Sequence, residues 1–230
     1  GGCKVSIQTS FPVNMELFTS YREIVTDQSK AGKVMRTILM RLGSEVYEQI
    51  CLAAASADED RGTAIYYVLH RAFGGGRCEK RVMEALADPY VSRVAKLALC
   101  VKREYHHYFG FVRFREISGR FLLAKIQPGN DILSLMALHF SNRFPNENWV
   151  IYDEKRQKAL CHEKGKECVM RKGVRIQVPG SAVGDMGEYE ELWQTFCDSI
   201  SIEARRNEKL QKQMLALHFR SNMPEFSMKG

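Results

Sequence analysis

The sequence lacks long apolar runs. Its apolar stretches, such as 64–68 and 93–101, are short and soon interrupted by Arg, Lys or His. A membrane-spanning helix needs ~20 consecutive apolar residues, so none is predicted. No apolar segment typical of a secretory signal peptide follows the first few residues, and secretion is therefore not expected.

Closely spaced cysteine pairs are also missing, because none of the seven cysteines belongs to a C-x-x-C motif. The nearest approach to a metal cluster is Cys161, His162 and Cys168, whose spacing fits no standard zinc module. An odd number of cysteines in a chain large enough to bury its own core favours reduced thiols. We therefore predict a cytoplasmic protein with no membrane association, no structural metal and no resident cofactor.

What is present is the composition of a folded, mildly basic protein. The 34 Lys and Arg residues exceed the 27 Asp and Glu residues by 34 − 27 = 7, and hydrophobic residues make up 45% of the 230 positions. This length allows one large domain or two small ones. We predict an N-terminal helical layer over 1–88 and an α+β core with C-terminal helices over 89–230, joined in one compact unit.

Helical periodicity dominates the first half of the chain. Apolar residues recur at helical spacing after Thr26-Asp27, a polar pair able to cap a helix, and the third helical stripe ends at the glycines 74–76. Asp88-Pro89 then opens a long helix, which we expect to end near Gly110.

The periodicity changes to two in the middle of the chain. Alternating residues predict a hairpin over 110–126 that turns at Ser118-Gly119 and has one apolar face. That face is predicted to hold Val112, Phe114, Leu122 and Ile126. The remaining elements are predicted to be a helix over 131–144, strands over 149–160, a surface loop or edge over 163–187, and two C-terminal helices over 192–200 and 203–219. The fold class is therefore α+β, an antiparallel sheet of hairpins covered by helices.

The densest constellation of charged and aromatic residues lies over 103–115. Six basic and two acidic residues fall between positions 101 and 125, interleaved with aromatic rings. Such a surface can bind phosphates while its rings stack on bases. The alternative is a solvated sheet face whose rings complete the core. Positions 109–114 also resemble an RNA-recognition signature, but the helical periodicity before them argues against that fold.

Two further features have both a functional and a structural interpretation. His106, beside His107 where the helix is expected to give way to a strand, can act as a general acid or base, or it can be a hydrogen-bonded packing residue. The basic run over 203–212, with Arg205 and Lys209, can bind a phosphate backbone or can be a solvated helix face.

Seven short motifs, in this order and spacing over 20–226, carry a family resemblance. They are Thr26-Asp27 with Ala31 and Val34; Arg103-Glu104-Tyr105-His106 followed by Gly110-Phe111-Val112-Arg113-Phe114; Ile126-Gln127-Pro128-Gly129-Asn130-Asp131-Ile132; His139-Phe140 with Arg143-Phe144 and Trp149; Leu192-Trp193-Gln194-Thr195-Phe196; Ser199-Ile200 with Arg205 and Asn207; and Asn222-Met223-Pro224-Glu225-Phe226. With them the chain resembles a bacterial family of probable DNA metabolism proteins. The resemblance implies a domain of unknown function found beside a radical-SAM protein or fused to a uracil-DNA-glycosylase-like domain.

The resemblance and the basic aromatic region together predict a DNA-directed accessory or binding factor in DNA repair or modification, with a radical-SAM partner. The predicted nucleic-acid-binding residues are Arg113, Arg115, Phe111, Lys125, Arg205 and Lys209. One alternative is an enzyme in which His106 and Asp131 handle protons on an extruded base. The other is a protein-interaction module whose basic face docks an acidic partner.

Overall fold

The structure is a computed structural model. It describes residues 5–9, 17–74, 81–117 and 121–176, together with 209, 213, 215, 217–220, 223 and 226. The chain divides into two compact units, residues 1–103 and 104–230.

Helices make up the first unit, as the periodicity predicts. They are α1 (Gln28–Leu42), α2 (Ser44–Ala54), α3 (Arg61–Gly74), a short 3-10 helix (Val82–Glu84) and α4 (Pro89–Phe111), which continues into the second unit. Asp27 caps α1 by accepting a hydrogen bond from the Lys30 N–H at 3.0 Å. Gly43, with φ of +97°, ends α1 and starts the turn into α2 in a conformation that favours glycine.

The start of α4 is capped and its end lies beyond the predicted boundary. The Asp88 carboxylate accepts hydrogen bonds from the N–H groups of Tyr90 and Val91 at 2.8 and 3.2 Å. At the other end the helix continues through Phe111, whose ring contacts that of His107 one turn earlier, 5.9 Å away between centroids. The strand predicted over 110–114 is therefore wrong, because α4 includes residues 110 and 111 and residues 112–114 belong to no helix or strand.

A five-stranded sheet in the order β1-β2-β3-β4-β5 forms the second unit with α5. Its elements are β1 (Arg115–Ile117), β2 (Phe121–Ile126), α5 (Leu133–Arg143), β3 (Trp149–Asp153), β4 (Lys158–His162) and β5 (Val169–Lys172). The predicted α+β class is confirmed, and so is antiparallel pairing of β1 with β2 and of β3 with β4. The pairing of β2 with β3 is parallel, with α5 as the crossover between them.

Both faces of the sheet bury apolar residues, although one apolar face was predicted. Leu122 and Ile126 do share a face, which packs under α5: the Phe140 ring lies 6.1 Å from that of Trp149. Phe114 precedes β1, and its ring reaches the same core at 5.5 Å from Phe140. The opposite face has its own buried cluster, which consists of Ile117, Leu123, Tyr152 and Ala159.

Most of the region where the C-terminal helices were predicted lies outside the described residues. This applies to the whole helix over 192–200 and to most of the one over 203–219. The described part contains α6 (Leu217–Arg220). In the described ranges, no helix combines the length and the apolar character that crossing a membrane requires.

Candidate functional site

The loop after β2, residues 127–132, is held by a carboxylate from α4. Glu104 accepts hydrogen bonds from the Gly129 N–H at 2.6 Å, from the Asn130 N–H at 3.0 Å and from the Asn130 side-chain amide at 2.5 Å. The parallel strands β2 and β3 both end at this edge of the sheet. Carboxyl ends of parallel strands are common places for binding sites, so the loop is fixed where a ligand would be expected.

A buried ion pair holds the same loop through its carbonyl groups. Arg156 donates to the carbonyl oxygens of Pro128, at 2.9 Å, and of Gly129, and it pairs with the Asp153 carboxylate at 3.1 Å. Asp153 is fully buried, and its second oxygen accepts from the Arg156 backbone N–H. Because both donors and acceptors of the loop backbone are occupied by side chains, its conformation is strongly determined.

Asp131 and His106, the residues predicted to handle protons, have different partners in the structure. The Asp131 carboxylate pairs with the Lys158 ammonium group at the start of β4. His106 is exposed on α4, and its ring lies edge-on to that of Phe109 at 5.9 Å. The structure does not bring them into one dyad, and their catalytic role stays a prediction.

The sequence predicted no functional role for His139, which lies on α5 and belongs to one of the family motifs. Its ring stacks on that of Phe109, with centroids 3.8 Å apart and planes 10° apart, and its Nε2 atom is buried without a hydrogen-bond partner. Burial, followed by the positive charges of Arg143 and His106, lowers the pKa of His139 below its ordinary value. The neutral form of this imidazole is therefore favoured in the fold.

An aromatic cluster holds Phe111 at the end of α4. Its ring lies 5.1 Å from that of Phe219, which also contacts Tyr108 at 4.8 Å. Burial, followed by the charge of Glu104, raises the pKa of Tyr108 above its ordinary value. The hairpin predicted over 110–126 would have placed Phe111, Arg113 and Arg115 in one strand, but of these three only Arg115 lies in a strand.

Arg113 lies in the connection between α4 and β1. Its guanidinium group donates to the carbonyl oxygens of Gly110, at 2.8 Å, and of Val112, at 3.4 Å, and so satisfies acceptors at the end of the helix. Lys209 is exposed, and Arg205 lies outside the described residues.

Basic residues gather on the sheet face opposite α5. The strand register places Arg115, Lys125 and Arg171 on this face, and every charged residue at its strand positions is basic. Val174 packs over the apolar cluster of this sheet face, and its carbonyl oxygen accepts a hydrogen bond from the Tyr152 hydroxyl at 2.9 Å. Arg175, next along this covering segment, is exposed. We call Arg115, Lys125, Arg171 and Arg175 the basic face.

Sequence reasoning missed Arg171 and Arg175 because it placed 163–187 in a loop or edge without strand register. The signal was the run 169–176, which contains three basic residues (Arg171, Lys172 and Arg175) and no acidic residue. Its other residues include Val, Met and Ile, which are compatible with a strand.

The described thiols are free, and they include Cys51, Cys100, Cys161 and Cys168. Cys168 lies 3.0 Å from the Ser141 hydroxyl oxygen, and burial raises the pKa of Cys161. Within the described ranges, no three His, Cys, Asp or Glu side chains are grouped so that they could hold a metal ion.

Fold and site together define an α+β protein with a helical first unit, a mixed sheet in its second unit and a basic face on that sheet. A family model described as a domain of unknown function (DUF4130) matches residues 59–225. The chain belongs to this family. Comparisons with curated proteins and with solved structures find no match.

Proposed function

We propose that this protein is a DNA-directed binding protein that acts as an accessory factor in bacterial DNA repair or modification. The observation that supports the binding activity is the basic face. Its strand positions carry Arg115, Lys125 and Arg171, which have one sign of charge and lie on one side of one sheet. A surface of this kind attracts phosphates and releases counterions when it binds them.

The dimensions of the basic face suit a nucleic-acid backbone. Arg115 on β1 and Arg171 on β5 are separated by four strand spacings, or about 19 Å at ~4.8 Å each. Phosphates of one DNA strand follow one another at ~3.4 Å along the helix axis, so this distance corresponds to roughly five to six phosphate spacings.

The ion pair of Lys125 leaves it available for a phosphate. Its ammonium group lies 3.6 Å from the Glu154 carboxylate, and both side chains are partly exposed. Exposed ion pairs of this kind contribute about 0–1 kcal/mol to stability. A charge-assisted hydrogen bond to a phosphate is stronger, so Lys125 can exchange Glu154 for a phosphate. Phe121 is a half-buried ring on the same face and is the candidate for stacking on a base.

The resemblance described above supports a further part of the proposal, a radical-SAM partner, while the odd number of cysteines supports a cytoplasmic location. Purification of the tagged full chain from its native host, followed by identification of bound protein and DNA, tests the partnership. Recovery of a radical-SAM protein in stoichiometric amount would support the partnership. Its absence from preparations that retain DNA would reject the partner while leaving DNA binding in place.

Neighbouring residues on β5 provide a matched test of the basic face. Arg171 and Lys172 are both exposed and both basic, but they lie on opposite faces of the sheet. Fluorescence anisotropy with single- and double-stranded oligonucleotides should show that Arg171→Ala weakens binding about fivefold, which corresponds to about 1 kcal/mol. Lys172→Ala should bind like the wild type. Equal losses in the two variants would mean that charge alone, and not this face, determines binding.

A further inference from the structure

A cleft of about 580 Å³ lies between α1 and α3 in the first unit. Its walls are almost entirely apolar and include Val34 and Ile38 from α1 and Tyr66, Leu69 and Phe73 from α3. A volume of this size is in the range of ligand-binding clefts. The basic face belongs to the second unit, so the cleft requires its own explanation.

Apolar side chains at the cleft are open to solvent. Val34 is 53% exposed although it lines the cleft, and the neighbouring Met35 is 40% exposed. The exposed apolar wall continues into the interior, because Ile38 is 4% exposed. A cleft whose apolar surface extends from its solvent-exposed mouth to its buried floor is typical of a surface that a partner covers.

The charge of the two helices that border the cleft indicates what kind of partner the cleft binds. α1 contains four basic residues and α3 contains two, and neither helix contains an acidic residue, although Lys30 pairs with Asp27 and Arg71 with Asp88 outside the helices. Lys30, Lys33 and Arg41 recur on the side of α1 that lines the cleft, at spacings of three and eight residues. The Arg41 guanidinium group lies 5.6 Å from the centroid of the Phe73 ring, at the cleft wall. An occupant with acidic residues beside an apolar stripe complements this border.

Length favours a helix as the occupant. The lining positions of α3 run from Tyr66 to Gly74, which is about 12 Å, or two helical turns, at ~1.5 Å per residue. Apolar side chains at i, i+3, i+4 and i+7 of an amphipathic helix occupy this length. A nucleic acid would satisfy the basic border but would leave the apolar walls without a partner.

We propose that the cleft between α1 and α3 docks an acidic amphipathic helix of a partner protein. The inference goes beyond the proposed DNA-binding function, since it concerns the other unit. It also concerns a helix, α1, that lies before the region matched by the family model.

A display selection on the full chain tests the proposal. The library consists of helical peptides with Leu or Phe at i, i+3, i+4 and i+7 and with random residues at the flanking positions. Selected peptides should be enriched in Asp and Glu at the flanks. Val34→Asp should weaken their binding about tenfold, equivalent to ~1.4 kcal/mol. Met40→Asp is the matched control, because Met40 is an 83% exposed apolar residue of α1 that does not line the cleft.

Both variants change surface positions, so both are expected to fold, and thermal melts check this. Lys33→Glu should lower the affinity for the selected peptides, and added salt should lower it as well. The proposal is overturned if the selection returns no acidic peptides or if Val34→Asp and Met40→Asp have equal effects. It is also overturned if an oligonucleotide displaces the peptides, or if wild-type chains self-associate through Val34 in sedimentation experiments, because the occupant would then be a nucleic acid or a second copy.

Discussion

Removal of the Glu104 carboxylate should destabilise the second unit by loosening the loop over 127–132. Glu104→Ala deletes the acceptor for the Gly129 N–H, the Asn130 N–H and the Asn130 side-chain amide, which lie 2.5–3.0 Å from its oxygens. These partners are 25 and 26 residues away in the chain. The bonds therefore exist only in the folded protein.

The size of the effect follows from the burial of each bond. Hydrogen bonds to a charged acceptor contribute about 1.5–3 kcal/mol each. The Gly129 N–H is exposed and can bond to water in the variant, whereas both Asn130 bonds are partly buried. Two bonds at the lower end of the range amount to about 3 kcal/mol. For a chain of this length we expect the melting temperature to fall by about 6–12 °C.

Chemical and thermal denaturation of the full chain measure this loss. Glu104→Gln should recover part of the stability, since its amide oxygen keeps one uncharged acceptor in place. Glu48→Ala is the control, because Glu48 forms an exposed pair with Lys102 at 3.8 Å and should change stability by less than about 1 kcal/mol. A loss for Glu104→Ala no larger than that for Glu48→Ala would refute the reasoning.

Three further predictions concern the core of the second unit. The pKa of His139 is lowered in the folded state, so His139 of the unfolded chain binds a proton at higher pH than His139 of the folded chain does. The free energy of unfolding should therefore fall as the pH drops below about 6.5. In melts at several pH values, His139→Phe should reduce this loss while keeping the stack on Phe109. Asp153→Ala should cost about 3–5 kcal/mol in denaturant titrations because it leaves Arg156 without its buried partner, and a cost below about 1 kcal/mol would contradict this. Trp149→Ala should cost about 3–5 kcal/mol because Trp149 is fully buried, and a variant of wild-type stability would show that the core does not depend on this ring.

Elements with a strong local pattern were predictable from the sequence. The capping residues Asp27 and Asp88 mark the starts of α1 and α4, and regular apolar spacing marks the bodies of these helices. The antiparallel pairing of β1 with β2 was also predictable, although β1 holds only residues 115–117 of the strand predicted from residue 110. Such features depend on neighbours a few residues apart, which the sequence shows directly.

Features that depend on distant residues were not predictable. The parallel pairing of β2 with β3 requires a crossover connection, which α5 provides. The sequence pattern of α5 equally fits a helix that packs on an antiparallel sheet, so the pattern does not reveal the crossover. The helical state of Phe111 depends on contacts with His107 and with Phe219, the latter more than a hundred positions away. The hydrogen bonds of Glu104 and Arg156 to the loop over 127–132 likewise join residues that are distant in the sequence.

Salt dependence of DNA binding is the most direct test of the central claim that the basic face binds a nucleic-acid backbone. The measurement is the affinity of the full chain for a single-stranded oligonucleotide over a range of salt concentrations, for the wild type and for Arg171→Ala and Lys125→Ala. The account predicts a steep linear fall of log K with log salt, and a slope reduced by about 0.7 in each variant. Undetectable binding, or binding that does not change with salt, would contradict it.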